Sequence, residues 1–451
     1  MIKYILFLSL CILHPCGGSS DFCEEGSSGL KTFLKGQWWD VFPKEGSPTK
    51  FSAFKANDHD LLSLPHPYPS VTQVGLSRTA IRGPGLSILE KKFPGLQELD
   101  LEGSEFLDTL CCLPKGTLNQ LKTLNLAGTP LGNAEFYRLV KRIKSDHLIS
   151  LNLKKTGITK IDPAFLAAKA SFTNLQELSL DKNRIPGRTL LAFIHIFPNL
   201  RSLSIQPSPH FMVEPECFEG FAEALPALKT LRLGKVCSKA VENLTQGVFE
   251  ELETLSLKVK ADGLIILSRA LSQGKFPKLK TLDLSGSNLV DLPEDAPVFL
   301  AQKSLLSSGG IEDPDVILES IRGHSVLALA AALKKNTTLG ILKLERVKIR
   351  DIGAIYLAGA LKRNTTLKKL ILCCAGITDS GAVALAESFK TNWSLEKLDL
   401  SFNRIKDSGA LAFVAALGGT TNLKKLYLNF NCIGDTGVIA LAAALEKIPH
   451  L

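Results

Sequence analysis

Two stretches near the end of the chain decide the fold: LEKLDLSFNRI at 395–405 and LKKLYLNFNCI at 423–433. Both follow the frame L-x-x-L-x-L-x-x-N-x-L. In an extended chain successive side chains point to opposite faces, so Leu398 and Leu400 point together to one side and the residues beside them point to the other. The asparagine at the ninth position, Asn403 or Asn431, comes where the chain must turn and its backbone polar groups need partners. One such unit cannot bury its own leucines; it must stack on a neighbour.

Working outward, the frame returns with a strict 28-residue period at Leu339, Leu367 (LKKLILCCAGI), Leu395 and Leu423. Less regular copies start at Leu96 (LQELDLEGSEF), Leu121, Leu148, Leu175 (LQELSLDKNRI), Leu200, Leu228, Leu252 and Leu279. Asn183 holds the ninth position in one of them, and Thr79, Ser104, Thr129 and Thr156 substitute in others by hydroxyl bonding. Weaker copies fit at Val71 (VTQVGLSRTAI) and Ile311 (IEDPDVILESI), for about 14 units in all. In the regular block a helix follows each strand. SGAVALAESFK places Val383, Leu385, Ala386 and Phe389 on one helical face, with Asp379 or Ser380 as its N-cap. The fold class is therefore α/β: a solenoid with a curved parallel sheet and helices or turns on its convex side.

The frame is that of the leucine-rich repeat. The segments NTTLGILKL, NTTLKKLIL, NWSLEKLDL and TNLKKLYL, with the helix starts DSGA and DTGV, resemble the ribonuclease-inhibitor type and the sensor domains of innate-immune receptors. That closer resemblance covers about 321–451, and the general one 71–451. It implies a non-enzymatic protein-binding scaffold. Some proteins with this repeat type activate small GTPases, but the residues on which that activity rests are not matched here.

Four segments are expected. Residues 1–20 read as a signal peptide, 21–70 as an N-terminal cap containing Trp38, Trp39, Phe42, Phe51 and Phe54, 71–302 as irregular repeats and 303–451 as the regular block. Pro314 falls on a strand position of the Ile311 unit and follows a Ser-Gly stretch. A kink or break in the sheet is therefore expected near 303–318, dividing the array into two arcs. In the signal, Lys3 precedes an apolar run from Ile5 to Leu13 that is too short to span a bilayer. Cys16 before Gly-Gly-Ser-Ser leaves open a lipid anchor, and an uncleaved segment is the third reading. Export puts the protein outside the cell or at its surface; an uncleaved segment leaves it cytoplasmic. The cysteines beyond the signal show no disulfide framework or zinc spacing, which suits a reducing compartment or an exported protein without structural disulfides.

No phosphate-binding loop, zinc-protease motif or nucleophile elbow occurs, and the eight histidines have no ligand spacing, so neither enzyme nor cofactor is expected. His195 reads as a packed core residue. The formal net charge of +9 over 451 residues is mild. Lysines and arginines of the middle repeats (Lys154, Lys155, Lys182, Lys229, Arg232, Lys235 and Lys258) lack interleaved aromatics, which argues against nucleic acid. Four N-glycosylation sequons, at Asn243, Asn336, Asn364 and Asn392, matter only if the chain is exported. The partner is expected to be a protein. The frame puts Lys343, Arg346, Ile371, Asp399, Phe402, Tyr427 and Phe430 on the open face, as aromatic and apolar anchors beside charge. The alternative to an exported scaffold is an intracellular regulator of an enzyme, as an inhibitor or a small-GTPase activator.

Overall fold

The computed structural model describes residues 31–34, 37–41, 50–53, 58–62, 64, 67–81, 83–104, 119–142, 147–160, 174–187, 190, 194–206, 215–289, 314–417 and 422–445. The signal reading, Cys16 and the sheet-break interval up to 313 lie outside these residues.

One sheet of 16 strands runs through the described residues in chain order. Strands β1 (Lys31–Leu34), β2 (Gln37–Val41) and β3 (Lys50–Ala53) pair antiparallel. From β3 onward every pairing is parallel, giving 14 parallel strands. These continue through β4 (Gln73–Gly75), β5 (Glu98–Asp100), β6 (Thr123–Asn125), β7 (Ser150–Asn152), β8 (Glu177–Ser179), β9 (Ser202–Ile205) and β10 (Thr230–Lys235). Then follow β11 (Thr254–Lys258), β12 (Thr281–Asp283), β13 (Ile341–Lys343), β14 (Lys369–Ile371), β15 (Lys397–Asp399) and β16 (Lys425–Tyr427). Parallel neighbours require a crossover on one face. The helices supply it: α1 (Asp58–Leu62), α2 (Gly83–Lys92), α3 (Gly132–Arg142), α4 (Phe221–Ala224), α5 (Ser238–Leu244), α6 (Ala261–Ser272), α7 (Pro314–Lys335), α8 (Arg350–Leu361), α9 (Asp379–Ser388), α10 (Asp407–Leu417) and α11 (Asp435–Leu445). Helices α6 to α11 pack on one another in order.

The number of parallel strands agrees with the repeat count, but their membership differs at two places. β3 joins the ladder from within the 21–70 segment, with Phe51 buried against Phe93. The Ile311 unit supplies no strand among the described residues, and no break follows. Pro314 is the first residue of α7, a position where a missing backbone N–H costs nothing. β12 pairs directly with β13, Thr281 against Ile341, so the sheet continues from one to the other.

The core is the inward leucine set. Leu342, Leu344, Leu370, Leu372, Leu398 and Leu400 are fully buried, as the alternation requires. The turns are closed by polar side chains that reach across repeats. At the end of the strand, the Asn403 amide donates to the carbonyls of Leu372 and Leu400, both at 2.9 Å, and its oxygen accepts from Ala375 N and Ile377 N at 3.0 Å. Asn183 does the same between the repeats at 148 and 175. The hydroxyls at Thr79, Thr129 and Thr156 donate to the carbonyl three residues earlier and so satisfy backbone acceptors of the turn. At the end of the helix, Asn364 donates to Leu333 O (2.7 Å) and Asn336 O (3.1 Å) and accepts from Thr366 N and Leu367 N. Asn392 repeats this arrangement one unit on.

At the start of the helix the expected cap is displaced. Thr378 is the N-cap of α9 and makes no side-chain cap bond. Asp351 of the previous repeat accepts from Thr378 N (2.7 Å), Thr378 Oγ1 (2.5 Å) and Gly381 N (3.1 Å) instead. Asp379 serves α10 through Lys406 N, Ser408 Oγ and Gly409 N, and Asp407 serves α11 through Gly434 N and Gly437 N. Glycine is required beneath these carboxylates: a Cβ on Gly381 would lie 2.6 Å from Asp351 Oδ1. Burial opposes ionisation of Asp379, but the Ser408 hydroxyl and the two amides outweigh it and hold the carboxyl below its ordinary range.

Two outcomes follow from this packing. Leu398→Asp buries an unpaired charge at a cost of several kcal/mol, roughly. It should collapse amide-exchange protection across β14–β16, and unchanged protection would contradict the register. Asp379→Ala should cost about 1 kcal/mol in urea unfolding, the usual value of a helix cap. Because folding lowers the Asp379 pKa, this stabilisation is complete above the unfolded carboxyl value of about 4 and fades as pH falls below it. The difference between the parent and Asp379→Ala should therefore shrink below about pH 4.

Candidate functional site

Two columns of side chains flank the buried leucines and face the open side of the sheet. On β13–β16 the column before the leucine reads Ile341, Lys369, Lys397, Lys425, and the column after it reads Lys343, Ile371, Asp399, Tyr427. Four of the seven expected site residues, Lys343, Ile371, Asp399 and Tyr427, stand in the second column, each half-buried. The other three are placed differently. Arg346, Phe402 and Phe430 sit in the tight turn after the strand, on the rim of the sheet, and are exposed.

These turn residues adopt left-handed backbone, with φ of 59° at Arg346, 58° at Phe402 and 55° at Phe430. The same point is held by Gly103, Gly128 and Gly286 in some repeats and, with the same left-handed backbone, by Arg78, Lys155, Lys182 and Cys374 in others, so the conformation belongs to the repeat. For a residue with a Cβ this conformation costs roughly 1–2 kcal/mol. Phe402 and Phe430 nevertheless occupy it, stacked at 4.2 Å between centroids and 14° between planes, and remain 51% and 59% exposed. Two bulky aromatics held in left-handed backbone and left in water are a local cost to the fold.

The first column was not singled out from the sequence. Lys369, Lys397 and Lys425 are Cα partners on adjacent strands. From β4 to β13 the same column holds Gln73, Glu98, Thr123, Ser150, Glu177, Ser202, Thr230, Thr254, Thr281 and Ile341. The signal was available: each lysine directly precedes a core leucine of the frame. Lys397 Nζ lies 4.5 Å from the centre of the Tyr427 ring, a cation–π contact. Glu396, one position earlier, is bridged by Lys424 (2.9 Å) and Lys368 (3.3 Å), whose hydrogen bonds hold its carboxyl below the ordinary range. Lys343 meets Asp283 at 3.6 Å, and Arg346 meets Glu345 at 3.7 Å.

Cys373 and Cys374 lie between these groups, with sulfurs 3.7 Å apart. Burial, reinforced by the neighbouring thiol, pushes Cys373 up to about 12, so it is protonated at neutral pH and is no nucleophile. Among the described residues no group of three or more His, Cys, Asp or Glu side chains is placed to hold a metal. His195, expected in the core, is exposed. The basic residues of the middle repeats are partly engaged: Glu253 bridges Lys229 at 3.5 Å and Lys280 at 2.6 Å. On the convex side Leu327 and Ile355, and again Leu411 and Ile439, stand 28 residues apart as exposed apolar groups, while Val383 at the position between them is half-buried.

The turn geometry separates stability from recognition. Phe402→Gly removes the ring stack but relieves the left-handed strain, so unfolding free energy should change by less than about 1 kcal/mol. A loss of several kcal/mol would show that the ring is structural.

Family models describing leucine-rich repeats match residues 363–386 and, as two copies, 393–441. Among curated proteins, mouse (Mus musculus) baculoviral IAP repeat-containing protein 1a is 30% identical over 208 residues, 43% of this chain and 14% of that protein. Protein 1f of the same species is 27% identical over 205 residues, with the same coverage. The match thus spans 14% of the length of these relatives. Among solved structures, the TLR13–ssRNA13 complex gives a TM-score of 0.49 at 18% identity, covering 82% of this chain and 48% of that one. An internalin from Listeria monocytogenes gives 0.38 at 15% identity, covering 83% and 85%. The yeast Rad7–Elc1 complex gives 0.45 at 16% identity, covering 85% and 81%. No helix among the described residues is long and apolar enough to cross a membrane. The repeat models and the parallel ladder of 14 strands agree: the chain is a leucine-rich-repeat protein.

Proposed function

We propose that this chain is a non-enzymatic scaffold that recognises a protein partner with the open face and adjoining rim of β13–β16. The observation that carries the reading is the Phe402–Phe430 pair, exposed and stacked in left-handed backbone beside Tyr427 and a row of lysines. Binding energy concentrates on such aromatic anchors flanked by charge. The 28-residue period of this block supports placing it with the ribonuclease-inhibitor type, and residues 21–70, which add three strands before β4, with an end cap.

The test is affinity capture on the full chain, with the retained protein identified and its affinity measured against Ile371→Arg and Phe402→Ala/Tyr427→Ala. A weakening of at least about tenfold is expected, since each lost anchor is worth more than about 1 kcal/mol. Equal affinity in all variants would move the interface elsewhere.

A second reading, an intracellular regulator of an enzyme such as an inhibitor or a small-GTPase activator, is favoured by the sequons. Asn243, Asn364 and Asn392 are only 2%, 4% and 3% exposed. Their amide nitrogens donate to buried or part-buried carbonyls: Pro215 O for Asn243, Leu333 O for Asn364 and Leu361 O for Asn392. A glycan on Nδ2 would have to be buried, and its attachment would disrupt this ladder. Asn336 is the one sequon of the four that is half-buried, and its Nδ2 donates only to the Thr338 hydroxyl at 3.4 Å. Among the described residues the free thiols of Cys237, Cys373, Cys374 and Cys432 also suit a reducing compartment. The apolar run from Ile5 to Leu13 supports export instead. Mass spectrometry of the mature N-terminus and of glycosidase-treated native protein separates the two. A cleaved end near residue 20, or a glycan on folded chains at Asn364 or Asn392, would remove the intracellular reading.

A further inference from the structure

We infer that the partner surface of the last three strands is built for an acidic protein segment that also carries an aromatic or long apolar residue. The inference rests on the reading of the open face given above and specifies the chemistry of its occupant. Lys369, Lys397 and Lys425 face one another in register, on strands about 4.8 Å apart. Like charges opposite one another across strands are destabilising, so the isolated sheet bears a repulsion that an anionic partner would relieve. The neighbouring carboxylates do not relieve it. Glu396 is occupied by Lys368 and Lys424, and Asp399 Oδ1 accepts the Ser401 amide at 3.0 Å. Lys50 on β3 stands alone at the far end of this column and no lysine occupies it from β4 to β13, so the only run of adjacent lysines among the described residues lies on the last three strands, the last two of which carry the phenylalanine pair on their rim.

The two features lie five residues apart along the chain, from Lys397 to Phe402, at most about 15 Å because the chain turns after Asp399. An extended segment bridges that distance with four or five residues between its carboxylates and its aromatic group. Nucleic acid fits less well. The two rings stack face to face and leave no slot for a base between them.

The experiment uses the full chain and a fluorescent nine-residue peptide, Glu-Glu-Glu-Gly-Ser-Gly-Ser-Phe-Phe, read by anisotropy at low salt. Its Gln-Gln-Gln counterpart and a twelve-nucleotide oligothymidine serve as comparisons. The Glu peptide should bind, the Gln peptide should bind at least about tenfold more weakly, and added salt should weaken the Glu complex. The triple variant Lys369→Gln/Lys397→Gln/Lys425→Gln should lose at least about tenfold, and Phe402→Ala/Phe430→Ala should lose affinity for both peptides. Absence of Glu-peptide binding, an undiminished triple variant, or tighter binding of the oligonucleotide overturns the inference. The reading of the open face fails separately. If the captured partner is lost on Ile371→Arg but holds in the triple lysine variant, the face stands and the acidic occupant falls. If neither change matters, both fall.

Discussion

The solenoid depends on polar side chains that close the turns of neighbouring repeats. Stacked leucines provide the bulk of the apolar burial, but burial is non-directional and does not fix a repeat-to-repeat register. The register comes from Asn403 bonding to the turn that contains Ala375 and Ile377, from Asn392 holding Leu361 O, and from Asp379 capping the helix that begins at Asp407. Each of these side chains satisfies backbone groups that would otherwise be stranded where strand or helix ends. Because every bond reaches into an adjacent unit, each repeat is completed by its neighbour, and the ladder stays in phase through the change of repeat length between β12 and β13.

That phase is what makes the open face readable. With Leu370, Leu398 and Leu426 aligned, the residues on either side align too, and a substitution repeated in three units becomes a surface. A lysine before each leucine becomes a charged row. A phenylalanine in two successive turns becomes a stacked ledge on the rim. Neither feature contributes to the core, and both carry a cost in the free chain, repulsion in one case and left-handed backbone in the other. Their coincidence on the same strands is the reason for placing recognition there and not over the more polar middle repeats, where Glu253 ties Lys229 and Lys280.

Much of this was legible from the frame alone. The inward leucines, the turn asparagines and the second open-face column follow from a period of two within the strand and of 28 along the chain. Three things were not. The Ile311 stretch resembles the frame, yet Pro314 opens a helix there; a proline that disqualifies a strand position is equally suited to the first turn of a helix. Asp379 looked like the cap of its own helix because local spacing carries no information about the neighbouring repeat, which is where its bonds go. Phe402 and Phe430 were expected on the open face, but strict alternation puts them on the side of Leu400 and Leu428, and because the turn has already begun they stand on the rim instead.

Hydroxyl-radical footprinting of the full chain with and without its captured partner addresses the central claim most directly. Aromatic side chains report their own exposure, and this chain provides internal references: Trp393 is exposed at the helix-to-strand turn, and Leu411 and Ile439 are exposed on the helical side. Partner binding through the proposed surface predicts protection of Phe402, Phe430 and Tyr427 with Trp393, Leu411 and Ile439 unchanged. Protection of Leu411 and Ile439, with the phenylalanine pair still fully reactive, would contradict it.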